Sequence, residues 1–302
     1  MLYALQLLLV WTTAGWCAEP LSVVTTSTDL KALVEAVGGE RVRLESLAPP
    51  LQDPHAVEVK PGQLAKLKTA SLLVRIGLDH EPWLERALRT VGDLRFTRES
   101  PHYLDTSKGV HLLQAETPRL RADKAAHVHG FGNPHYWLDP ENGRPMTEAM
   151  LTALLRLAPA HGSYFKSNRK RFLERLDGSL KSWLQTMAPY KGTRVIAVHE
   201  TWPYFAHRFG LTIVAVVEAT PGVPPSPSYL ASLIKKTRDS GIRLLIADPY
   251  SNASTVRQVT TQSGATAVTL IPSVGGDPGA ADYLSLFELN IKRLSQAAAA
   301  GR

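Results

Sequence analysis

A chain of 302 residues with ten histidines and one cysteine can bind a metal ion tightly only through imidazole and carboxylate. Four side chains stand out by position. His55 lies in QDPHAVEVKP, His135 in GNPHYWLDP, His199 closes the apolar run RVIAVH, and Asp248 closes IRLLIAD. Each alone fits a packed structural histidine or a turn-forming aspartate as well as a ligand. Together, three imidazoles and one carboxylate make a complete tetrahedral set for zinc, whose borderline softness favours nitrogen over an all-oxygen shell. A zinc hydrolase is the competing chemistry. It needs three protein ligands, an open position for water and a general base beside it. Glu200, next to His199, is the obvious base, but neighbouring residues on a strand point to opposite faces, and the chain contains no HExxH motif.

The elements that must carry these residues are α/β units. LSVVTT (21–26) reads as a buried strand feeding a helix from Asp29, and a helix over 62–69 leads into a strand over 71–76. In the second half, 194–199, 211–218, 242–249 and 266–271 are apolar, β-branched runs separated by segments of helical composition. Runs apolar throughout point to parallel strands covered on both faces. All four candidate ligands then fall at strand ends or in adjoining loops, where open α/β sheets place their ligand sites. Between the halves, residues 161–187 carry Phe165, Phe172, Leu176, Leu180, Trp183 and Leu184 at helical spacing without a proline. They predict one amphipathic helix of roughly 40 Å. The expected architecture is two lobes with mainly parallel sheets joined by one long rigid helix: a lobe over 19–160, the linker helix over 161–188, and a lobe over 189–302. The segment 118–134 reads as a loop.

Composition narrows the rest. With 44% hydrophobic and 20% charged residues the chain is that of a soluble globular protein with material for about two domains. The net charge of +7 is scattered, with clusters at 166–175 and 235–238 that read as solvated helix faces, so nucleic acid is not an expected partner. Residues 1–18 contain no charged side chain and fit a secretory signal peptide better than a membrane span. Cys17 follows Trp16, and a lipid-attachment cysteine needs a small residue before it, so a lipid anchor is not expected.

Several motifs in order, DPHAVEVKP, GLDHEPWLERAL, NPHYWLDP, the long helix, VHETWPYFAHRFGL, PGVPPSPSYLASLI and IADP, resemble the metal-binding solute-binding proteins of ABC transporters, most closely the zinc-uptake, ZnuA-like type. The resemblance runs over nearly all of the chain beyond residue 18. It implies a metal site in the cleft between the lobes, with His55, His135 and His199 as ligands and Asp248 as the fourth; Asp53 and Glu58 are alternative carboxylates. It also implies an extracytoplasmic, monomeric protein without catalytic activity that hands Zn2+ to a membrane permease. Manganese and iron relatives tend to carry Glu at the third position, so His199 favours zinc over those metals. His80 departs from the family pattern and is expected to be a surface substitution or a group behind the ligands. Asp139 is expected to cap or turn the chain, and His127 and His129 to lie in a loop where related proteins capture metal loosely.

Overall fold

A computed structural model describes residues 19–52, 55, 57–114, 132–218 and 223–300. Two four-stranded sheets, parallel throughout, share one strand pattern. Strands β1 (Leu21–Thr25), β2 (Val42–Ser46), β3 (Leu72–Arg75) and β4 (Tyr103–Asp105) lie in the order β2-β1-β3-β4. Strands β5 (Arg194–Ala197), β6 (Thr212–Val216), β7 (Leu244–Ala247) and β8 (Thr266–Thr269) lie in the order β6-β5-β7-β8. In each sheet the strand order reverses beside its first strand, which is where such sheets open a crevice at the carboxyl ends of their strands.

Helices α1 (Thr28–Gly38), α2 (Pro61–Thr69), α3 (Leu84–Val91) and α4 (Gly143–Leu157) serve the first sheet; α6 (Pro203–Phe209), α7 (Pro227–Asp239), α8 (Ala253–Ser263) and α9 (Tyr283–Ala300) follow the linker. Both faces of each sheet are covered. Val24 and Leu73 pack outward with Leu67, Trp83 and Leu84, and Ile196 and Leu245 pack outward with Leu233 and Ile234. The opposite faces, Val23, Leu72 and Val74 in one sheet and Val195, Ala197 and Ile246 in the other, join a single core that runs through both lobes. Double coverage is the reason the central strands β1, β3, β5 and β7 are built mostly of apolar residues.

The linker α5 (Gly162–Met187) is one uninterrupted helix of 26 residues, about 39 Å long at 1.5 Å per residue. It buries Phe165, Asn168, Phe172, Leu176, Trp183 and Met187. Asn168 Nδ2 donates to Val37 O at the end of α1, and Trp183 Nε1 donates to Glu288 Oε2 of α9, so the same helix is fastened to elements from both halves of the chain. Further bonds join the halves beside the cleft: Val274 N donates to Asp29 Oδ1, and Trp137 Nε1 to Pro272 O.

Strands β2 and β4 were not expected from the sequence. The strands of the second sheet fall inside the expected runs but are shorter, ending at Ala197, Val216, Ala247 and Thr269. Residues 1–18, Asp53, His127 and His129 lie outside the described residues, as does most of the 118–134 segment.

Candidate metal centre

The residues after the strands carry the chemistry. His55 lies in the segment between β2 and α2, His80 between β3 and α3, and His135 in the segment after β4; His199 follows β5, Glu218 follows β6, and Asp248 follows β7 directly. Because all strands of a sheet are parallel, these side chains emerge at the carboxyl edges.

His55, His80 and His135 form a cluster in which one ring nitrogen of each lies within 4.8 Å of the others. The His55 and His135 Nε2 atoms are 3.4 Å apart. Two nitrogens bound at about 2.05 Å to one tetrahedral zinc stand about 3.3 Å apart, so this pair is already spaced for a shared ion. The rings meet edge to face, with centroids 4.3 Å apart for His55 and His80 and 5.2 Å for His80 and His135. Trp137, itself buried, packs against His80 and His135 at 5.0 and 5.2 Å and closes the inner side with apolar surface. His80 and His135 are buried, at 1% and 8% exposure. His55 is half-buried and borders a recess of about 340 Å³ shared with Glu58, Pro82, Trp83 and Arg86, which is the cluster's opening to solvent.

His80 is therefore not a surface residue. Its position is set by a turn in which Gly77, Leu78 and Asp79 all have positive φ (83°, 54° and 57°). Two consecutive non-glycine residues in the left-handed region are strained, and the strain is held by Glu81. The Glu81 carboxylate, 1% exposed, accepts from Ile76 N (2.6 Å), Gly77 N (3.1 Å) and Thr26 Oγ1 (2.6 Å), and pairs with Arg75 (3.1 Å). Positive φ in the run GLDHEP was foreseeable only at Gly77, so sequence reasoning missed the way the turn aims His80 inward.

His199 and Asp248 are brought together, as expected of strand-end neighbours, but with each other and Glu218. His199 Nδ1 donates to Asp248 Oδ2 (2.6 Å) and Nε2 to Glu218 Oε2 (3.0 Å), while Trp202 Nε1 donates to Asp248 Oδ1 (2.9 Å). Burial pulls the imidazole's proton affinity down, but the two carboxylates outweigh it and hold the His199 pKa above its ordinary value. Glu218 ends the apolar run LTIVAVVE, and its closing acid was the signal available. Glu200 lies beyond the end of β5, so strand alternation does not decide where it points; its carbonyl accepts from Asn133 Nδ2. Asp139 does cap the chain, accepting from Glu141 N at 3.0 Å, and pairs with Arg208 at 2.7 Å. Glu58 is exposed at the rim.

The model of ZnuA, zinc-uptake complex component A, periplasmic, matches residues 23–297. The chain belongs to this family. A relative from Paracoccus denitrificans (strain Pd 1222), named high-affinity zinc uptake system protein ZnuA, is 27% identical over 296 residues, covering 89% of each protein. The iron-binding protein YfeA of Yersinia pestis is 22% identical, covering 92% of this chain and 86% of its own. A crystal structure of ZnuA superposes with a TM-score of 0.77 at 24% identity, covering 92% of this chain and 99% of that one. As a ZnuA-family member the chain is a metal-binding solute-binding protein of an ABC transporter, extracytoplasmic by its family assignment. The family comprises binding components of uptake systems rather than enzymes.

Proposed function

We propose that the protein captures Zn2+ outside the cytoplasm and delivers it to the transporter's permease. The observation that carries the choice of metal is the preformed set of three imidazoles, His55, His80 and His135, within 4.8 Å of one another. Nitrogen donors at this spacing suit a four-coordinate zinc ion, whereas manganese prefers oxygen and a larger shell. His199 supplies the fourth donor from the second lobe once the ion draws its Nε2 away from Glu218, while Asp248, expected from the sequence as the fourth ligand, holds His199 Nδ1. Capture proceeds through the recess beside His55, the most accessible of the three rings. With the lobes fastened to one helix, release runs through movement of a ligand-bearing loop when the permease engages, rather than through a wide hinge.

The test is elemental analysis of protein purified without added metal, followed by competition titration with zinc, manganese and iron. Zinc should be held most tightly, and alanine at His55, His80 or His135 should each weaken it by a factor of about 100 or more, since each change removes a first ligand from a shell of four. Equal affinity for manganese, or three single variants that bind zinc as the unmodified protein does, would remove the proposal.

A further inference from the structure

Asn133 is buried at 4% exposure and uses both ends of its carboxamide. Its Oδ1 accepts from the backbone N of His135 (2.9 Å) and from His135 Nδ1 (3.0 Å). Its Nδ2 donates to Glu200 O (3.0 Å) and Gln114 Oε1 (3.2 Å). The network admits only one orientation of the amide, because a backbone N–H can only donate and a backbone carbonyl can only accept. An amide oxygen facing His135 Nδ1 requires the proton to be on Nδ1. Nε2, the atom 3.4 Å from His55 Nε2, then carries a lone pair rather than a proton, the form that a metal ion needs.

The other end of the amide reaches the second lobe. Glu200 follows His199, and Asn133 O accepts from Tyr204 Oη of α6 at 2.9 Å, whose oxygen accepts in turn from Leu113 N at 3.0 Å. One side chain thus grips a ligand of the first lobe and the backbone beside a donor of the second.

We propose that Asn133 is a positioning residue with two effects: it fixes the metal-binding tautomer of His135, and it couples that imidazole to the spacing of the lobes at Glu200. Drawing Glu200 away withdraws an acceptor from Nδ2, loosens the amide, and with it the orientation of His135. Release from one lobe is then prompted by displacement of the other. The inference rests on His135 being a ligand, but its first half is measurable without metal.

Two variants separate the effects. Asn133→Ala removes both contacts. Asn133→Asp keeps an oxygen on His135 Nδ1 but turns its second oxygen toward Glu200 O, a backbone carbonyl that only accepts, even where Gln114 rotates its amide to donate. Long-range 15N–1H correlation of the imidazoles in metal-free protein at pH 8 reads the tautomer, and chelator-chase kinetics read zinc dissociation, with thermal melts confirming the fold. The unmodified protein and Asn133→Asp should both show His135 protonated at Nδ1, while Asn133→Ala shifts toward Nε2–H and loses about 10- to 100-fold in zinc affinity, the usual effect of removing such a partner. Asn133→Asp should release zinc faster than the unmodified protein with its tautomer unchanged. Should Asn133→Ala not fold, Asn133→Asp alone decides: a His135 protonated at Nε2, or unaltered zinc release, overturns the corresponding half of the proposal. Failure of the unmodified protein to bind zinc would instead refute the assigned function and leave the tautomer result standing.

Discussion

Asp29 stands in the first turn of α1 with no exposed surface, its Oδ1 accepting from Val274 N of the other half of the chain at 2.9 Å. Burial, opposed by hydrogen bonds from Val274, Ser273 and Ser27, pushes its pKa from 3.8 up to about 7. The unfolded chain releases this proton near 3.8 and the folded protein only near 7. Between those values the folded state holds a proton that the unfolded state lacks, so stability falls as pH rises through the window and levels off above it. At about 1.4 kcal/mol per tenfold change in proton affinity, the full interval is worth about 4 kcal/mol. The part between pH 5 and pH 8 is about 3 kcal/mol. An asparagine at this position cannot ionise and keeps the oxygen that receives Val274 N. The stability of Asp29→Asn relative to the unmodified protein should therefore rise by about 3 kcal/mol from pH 5 to pH 8. Urea unfolding of chelator-treated protein at several pH values measures it, and subtraction cancels the titration of all other groups. A difference that stays constant across the range would show that Asp29 ionises normally and that its burial is relieved in a way the packing does not reveal.

Glu81→Gln should cost about 3 kcal/mol, because Arg75 stays buried while its main counter-charge is removed, and should weaken zinc binding by relaxing the turn that aims His80; denaturant melts and zinc titration on the same samples check both. His199→Glu should raise manganese affinity relative to zinc by supplying a hard oxygen donor, and competition titration that finds the ratio unchanged would mean that this residue does not meet the ion. Asp248→Ala should weaken zinc binding about 10- to 100-fold through loss of the carboxylate that holds His199 Nδ1, a smaller loss than removal of a histidine, as isothermal titration would show.

The long helix was legible because nothing interrupts its 3.6-residue apolar stripe, and the central strands because double coverage leaves them mostly apolar. Strand β4 has three residues and β2 alternates buried and exposed side chains as VRLES, too short and too mixed to announce themselves. The matching strand orders of the two sheets were invisible, since unlike residues build them. His55 and His135 could be read from their proline-flanked motifs as candidate ligands. His80 could not, because its role depends on the φ angles of Leu78 and Asp79 and on Glu81 anchoring them, which no local pattern encodes.

Each proposed donor rides on a separate connection between a strand and the following helix, and none lies within a strand. Exchanging one donor for another therefore leaves the two sheets' hydrogen bonding and the shared core untouched. A scaffold of this kind lets a donor at the rim be changed without rebuilding the fold, and the chain is similar both to a relative named for zinc and to one named for iron. For this chain the inward turn of His80 sets a third imidazole beside His55 and His135, which makes that turn the first place to redesign its choice of ion.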